Sequence, residues 1–151
     1  LALTPTDIDL EKGVISVTKT YYRTQKQDVI TSPKTPNSVR NVPIPEFLRR
    51  QTREYMEKIY GLGPSDRLFS LVNNTIRHPL DRACKRSGVK RIRVHDLRHS
   101  HVSLLIELGF PALLIAERIG DTVDMVNNIY GHLYPTRHEE VADRLQTLVS
   151  N

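Results

Sequence analysis

The chain has a single cysteine, Cys84, so no internal disulfide can staple it. A reducing, intracellular compartment is the natural reading of that shortage. No apolar run approaches the ~20 residues that a membrane-spanning helix requires, which excludes a membrane span. The opening residues Leu1-Ala2-Leu3-Thr4-Pro5 carry neither the basic region nor the apolar stretch of a signal peptide, and no initiator methionine stands there. The chain is therefore expected to begin inside a larger protein or to have been trimmed. Internal repeats and low-complexity tracts are also missing. What is there is 151 residues, 38% hydrophobic and 26% charged, enough for one domain with a hydrophobic core. Twenty-two Lys and Arg against 17 Asp and Glu leave a net charge of +5, which favours an anionic partner without specifying one.

The first third of the chain alternates apolar and polar residues with a period of two. Gly13–Tyr22 reads as one strand, Val29-Ile30-Thr31 as a second, and Val39–Ile44 as a third. Between the last two, Ser32-Pro33-Lys34-Thr35-Pro36-Asn37-Ser38 is a turn, because proline cannot join a ladder and Asn-Ser suits a tight bend. After Pro45 the period lengthens to about 3.6. A helix carrying Phe47, Leu48, Met56 and Ile59 stops at Gly61-Leu62-Gly63-Pro64. A second carries Ile76, Leu80, Ala83 and Cys84 up to Gly88. A third, marked by Leu97, His101, Leu104, Leu105 and Leu108, closes at Gly109. Pro111 opens a fourth, with Leu114, Ile115 and Ile119, that ends at Gly120. A short segment holds Val123 and Val126, and Pro135 opens a last helix with Val141, Leu145 and Leu148. The order predicts an α+β domain, mostly helical, with a small N-terminal three-stranded antiparallel sheet.

Three groups of residues are equipped for chemistry. In Val94-His95-Asp96-Leu97-Arg98-His99-Ser100, His95 and Arg98 stand three apart and share a face if a helix begins there. Asp96 would suit the positive end of that helix, and a guanidinium beside an imidazole makes a phosphate site. In Tyr130-Gly131-His132, a tyrosine is followed by a glycine that would let a loop present its hydroxyl, a competent nucleophile once deprotonated. Lys34, on its turn, could reach into a groove and donate a proton. Each group alone has an ordinary explanation: a polar helix start, a half-buried tyrosine, a solvated lysine.

Taken together they resemble the tyrosine recombinase (phage integrase) family. His95–Leu105 is similar to that family's HxxR helix. Tyr130-Gly131-His132-Leu133-Tyr134-Pro135 is similar to its nucleophile segment. Ser32-Pro33-Lys34-Thr35 followed by Arg40-Asn41-Val42-Pro43-Ile44-Pro45 is similar to its lysine-bearing β-hairpin, and Leu1–Asp9 to the tail of its first block. The resemblance implies that Tyr130 attacks a scissile phosphate of double-stranded DNA to form a 3′-phosphotyrosyl link. Arg98 would bind the non-bridging oxygens, Lys34 would protonate the leaving 5′ oxygen, and His95 would act as general base or phosphate donor. No metal or nucleotide cofactor is needed, because the phosphotyrosine conserves the bond energy.

Two departures stand out. The family's other arginine lies just before the block that begins here at Leu1, so this stretch alone is expected to be inactive or impaired. The family has Gly-His where this chain has Gly120-Asp121. Asp121 cannot donate a hydrogen bond to phosphate; it orients His95 or Arg98, or another donor replaces it, or activity is weak.

The resemblance also implies a homotetramer on DNA, with the C-terminal helix docked on a neighbour or on its own domain, and a place in the bacterial cytoplasm at the nucleoid. Candidate phosphate contacts are Arg91 and Arg93, Lys85, Arg86 and Lys90, and Arg23 and Lys26. Two other readings remain. Ala112–Gly120 followed by Asp121–Tyr130 resembles a helix-turn-helix DNA-binding module, although its second helix carries no Arg or Lys to read bases. His95, His99 and His101 could form a metal site, but no acid stands at zinc-protease spacing.

Overall fold

The structure, a computed structural model, describes residues 1–25, 27–71, 73–135 and 138–149. Among the described residues, five short strands precede six α-helices. β1 (Ile8–Asp9), β2 (Val14–Val17) and β5 (Arg40–Pro43) form an antiparallel three-stranded sheet with β2 in the middle, and β3 (Thr20–Thr24) and β4 (Gln27–Thr31) form a separate hairpin. The helices are α1 (Glu46–Glu57), α2 (Asn73–Ser87), α3 (Asp96–Glu107), α4 (Ala112–Ile119), α5 (Val123–Tyr130) and α6 (His138–Val149). This is the α+β architecture the residue pattern predicts, but its strands are partitioned differently.

The run Gly13–Tyr22 is not one strand. It breaks at Thr18-Lys19, and its halves belong to different sheets. The cause is polar: Lys19 turns inward, its Nζ 2.6 Å from Asp7 Oδ2 and 3.1 Å from Thr4 Oγ1. Asp7 in turn accepts from the Thr4 backbone N–H at 2.8 Å, so a charged pair is fully engaged where an alternating strand would have placed a solvated lysine. Thr20–Thr24 then finds a closer partner in Gln27–Thr31, in the register Tyr21↔Ile30 and Arg23↔Asp28.

The main core lies between α3, α4 and α5. Val102, Ile106, Ile115, Ala116, Ile119, Val126 and Tyr130 are buried together. On α3 the face expected inside is partly outside: Leu97, Leu104 and Leu108 are exposed, while Val102 and Ile106 are buried. Polar and apolar residues are spread around this helix, so its faces differ little and periodicity could not choose. The fourth helix follows its signals. Pro111 stands at its start, and Gly120 closes it at φ +71°, with the N–H groups of Gly120 and Asp121 both donating to the Ala116 carbonyl at 2.8 and 3.0 Å. α6 is described from His138, with Val141, Leu145 and Leu148 exposed.

β5 is tied to α4 by two reciprocal arginines. Arg40 Nε donates to the Arg118 carbonyl at 2.9 Å, and Arg118 Nη1 donates to the Pro43 carbonyl at 3.0 Å. This seam joins the sheet to the end of α4 and fixes the turn on which Asp121 stands. Among the described residues, no helix is long and apolar enough to cross a membrane.

Candidate active site

The start of α3 is built by its own sequence. Asp96 accepts from the Arg93 backbone N–H at 2.8 Å and from the Arg93 guanidinium at 2.8 and 3.1 Å. These bonds, the side-chain one foremost, hold the Asp96 carboxyl at a pKa of about 2. The negative charge sits on the first turn, where exposed N–H groups favour it. His95, Arg98 and His99 follow at helical spacing and line one cavity of about 240 Å³ together with Ile119, Asp121, Met125, Val126, Ile129 and Tyr130.

Arg98 is held by two acceptors. Its Nη1 donates to the Ile119 carbonyl at 2.7 Å, and its Nη2 donates to Asp121 Oδ2 at 3.0 Å. The other Asp121 oxygen accepts from the Thr122 backbone N–H at 3.0 Å. Asp121 therefore has a partner for each oxygen, and the Arg98 guanidinium, with five N–H donors, keeps some for a further acceptor. Of the three alternatives raised by Asp121, the geometry matches the orientation of Arg98. Beside them lies Arg40, whose guanidinium sits against Gly120 and is pushed below its ordinary pKa by burial and then by the nearby charge of Arg98.

Tyr130 is the last residue of α5, not part of an exposed loop, and it is 7% exposed. Val126 and Tyr130 are four apart, so the face that buries one buries the other. The following Gly131 has φ −55°, a value any residue adopts, so glycine is not required there to present the hydroxyl. The Tyr130 hydroxyl meets His99 Nδ1 at 2.5 Å, and the His99 ring stands edge-on to His95 with centroids 4.9 Å apart. Burial pushes the Tyr130 phenol above its ordinary pKa; Arg98 opposes this and Asp121 adds to it.

A second, larger cavity of about 760 Å³ also has His95 and Arg98 in its lining. It is lined by Ile76, Arg77, Asp81, Arg91, Arg93 and Val94 as well. Arg91 and Arg93 line this cavity together with His95, and each is already paired. Arg91 makes two bonds to Asp81, at 2.8 and 3.0 Å, and Arg93 is held by Asp96. Lys85, Arg86 and Lys90 are exposed and line neither cavity; the first two occupy the last turn of α2, where a helix dipole favours cations. Arg23 lies on the β3–β4 hairpin, 3.4 Å from Asp28. Lys26 lies outside the described residues. Lys34 is exposed at the bend before the 3-10 turn Pro36–Ser38, and it too lines neither cavity.

Three residues at the site were not singled out by the sequence reading. His99 was weighed only as a metal ligand, although its spacing of four from His95 already put those two on one face. Arg77 precedes Asp81 by four on α2, a spacing that hints at a shared face but not at a groove. Arg40 bonds the Arg118 carbonyl 78 residues away and sits against Gly120 beside the site, and no local signal announces it.

The alternatives fare less well. α4 and α5 do pack as a helix pair, but α5 presents its last residue to the Arg98 cavity and carries no cation. His101 Nε2 accepts from Arg118 Nε at 3.1 Å, and among the described residues no group of three or more His, Cys, Asp or Glu is placed to hold a metal ion.

Helices gathered over a small antiparallel sheet, with an arginine, two histidines and a buried tyrosine around one cavity, define a tyrosine recombinase catalytic domain. Residues 1–137 match the model of the phage integrase family, and the chain belongs to that family. It is 36% identical to the ICEBs1 integrase of Bacillus subtilis over 99% of this chain and 44% of that protein. It is 30% identical to a putative prophage phiRv2 integrase of Mycobacterium tuberculosis over 96% of this chain and 41% of that one. The chain thus spans less than half the length of these relatives. In fold it is similar to the Tn1549 transposon integrase solved in complex with transposon right end DNA, with a TM-score of 0.78, 20% identity, and coverage of 98% of this chain and 53% of that one.

Proposed function

We propose that this chain is the catalytic domain of a site-specific recombinase, the integrase of a phage or other mobile element, that cuts and rejoins double-stranded DNA through a 3′-phosphotyrosyl intermediate. The observation that carries this reading is the convergence of Tyr130, Arg98 and His95 on one cavity beside a basic groove. The names of its relatives, integrases of a mobile element, a prophage and a transposon, support it.

Tyr130 attacks the scissile phosphorus. The N–H groups of Arg98 not used by Ile119 and Asp121 hold the non-bridging oxygens, where negative charge builds up in the transition state. Arg98 must arrive already oriented for this, and Asp121 supplies that orientation while its own oxygens stay engaged away from the phosphate. His95, at the mouth of both cavities, donates to a phosphate oxygen. Lys34 swings in from its exposed bend on binding DNA to protonate the leaving 5′ oxygen. Arg77, Arg91 and Arg93 contact the DNA backbone along the larger cavity, Arg91 and Arg93 exchanging their carboxylate partners for phosphate. A homotetramer on two duplexes would give the exposed apolar stripe of α6, Val141, Leu145 and Leu148, a neighbour to cover it.

The test uses the full-length protein and a nicked suicide duplex carrying the attachment site of its element, followed by a denaturing gel. The expected result is a slow-migrating covalent protein–DNA band that is lost in Tyr130→Phe. An identical band in Tyr130→Phe, or none from the unaltered protein bound to the duplex, would sink the reading.

A further inference from the structure

A buried phenol is a poor nucleophile until something removes its proton, and the cavity offers few groups able to do so. Among the described residues, five titratable or charged side chains face His99 or share its cavity. Asp96 and Arg98 come from its own helix, His95 from the residue just before it, Tyr130 from α5, and Asp121 from the turn before α5. Asp121 is committed to Arg98 and the Thr122 N–H, and Asp96 to Arg93. Arg98 is a permanent cation and cannot take a proton. Two imidazoles remain. His95 is exposed and meets the edge of His99, whereas His99 Nδ1 is the atom in contact with the Tyr130 hydroxyl.

We propose that His99 is a catalytic residue for strand cleavage: its Nδ1 accepts the hydrogen bond of the Tyr130 hydroxyl and takes that proton as the phenolic oxygen attacks phosphorus. This rests on the reading of Tyr130 as the nucleophile. It requires the tautomer with Nδ1 bare and the ring proton on Nε2. In the step, the bond from the Tyr130 oxygen to phosphorus forms and the bond from phosphorus to the 5′ oxygen breaks. The phenolic proton goes to His99, and the leaving oxygen receives a proton from Lys34. In rejoining, a 5′ hydroxyl gives its proton to the neutral Lys34 as its oxygen bonds to phosphorus, the phosphotyrosyl bond breaks, and His99 returns its proton to the phenolic oxygen. The placement suits the chemistry because α3 fixes His99 one residue after Arg98, so one rigid helix carries both the base and the phosphate clamp. The phenol's raised pKa makes contact with a base more important, since the free phenolate is disfavoured in this cavity.

The experiment is single-turnover cleavage of the nicked suicide duplex by the full-length protein, comparing His99→Asn and His99→Ala with the unaltered protein and with Tyr130→Phe across pH. Asparagine keeps an acceptor oxygen near the position of Nδ1 but cannot take up a proton. Both His99 variants are expected to form the covalent band ~10²-fold or more slowly. The acid limb of the pH–rate profile should vanish in His99→Asn, while gel-shift affinity for the duplex stays unchanged. His99→Asn cleaving within a few-fold of the unaltered protein, with the same acid limb, would overturn the proposal. So would faster cleavage by His99→Ala, which would make the contact a lock on an idle tyrosine. A Tyr130-dependent band from the unaltered protein keeps the two questions apart: without it, the recombinase reading itself falls.

Discussion

Gly120 occupies the left-handed region at φ +71°, and a Cβ built on it would lie 2.5 Å from Arg40 Nη1. Alanine there meets two penalties, backbone strain and a displaced guanidinium, and Gly120→Ala is expected to lower stability by ~1–3 kcal/mol in urea unfolding. In Arg40→Ala the obstacle is gone, so adding Gly120→Ala should cost less than it does alone; strict additivity of the two would argue against the contact. The glycine itself was legible, because a helix ending in Ile-Gly is a familiar stop. Its second duty was not, since Arg40 stands on a distant strand. Asp121 shows the same division. As a residue it looked like a flaw in a phosphate site, with orientation of His95 or Arg98 one of several readings, and the fold places its carboxylate on Arg98. His99 likewise shared a visible face with His95, but nothing local could tell which imidazole would meet a tyrosine 31 residues on.

Among the elements, α3 depends most visibly on one charge. The folded pKa of Asp96, about 2, lies below its ordinary 3.8. The carboxylate therefore stabilises the fold fully above pH ~4, and that contribution is lost as pH falls through about 2. Asp96→Asn should be less stable than the unaltered chain at pH 6, and the gap should close on titration to pH 2; thermal melts across that range check it, and a gap unchanged at pH 2 would contradict it. Element ends were legible at Gly88, Gly109, Pro111 and Gly120, whereas α1 stops at Glu57, short of Ile59 and of the Gly61 expected to end it, and Pro79 lies inside α2. Element partners were not legible. The split of Gly13–Tyr22 into two sheets turns on the Lys19–Asp7 pair, twelve residues apart, and periodicity carries no record of such a bond.

At the scale of the whole molecule, what matters is where the +5 net charge is placed rather than its size. Arg77, Arg91, Arg93, His95 and Arg98 line one concave surface, whereas Lys85, Arg86 and Lys90 lie outside it. If DNA phosphates follow the cavity, cations inside it release condensed counterions on binding and those outside do not. Arg77→Ala should then weaken binding to specific and random duplexes alike and reduce the slope of log affinity against log salt by about one. Arg86→Ala removes the same charge from the last turn of α2 and should leave that slope unchanged. Fluorescence anisotropy of the full-length protein with a labelled duplex, titrated at several salt concentrations, separates the two. Equal slopes for both variants would mean that net charge, not the groove beside Arg98, governs contact with the backbone.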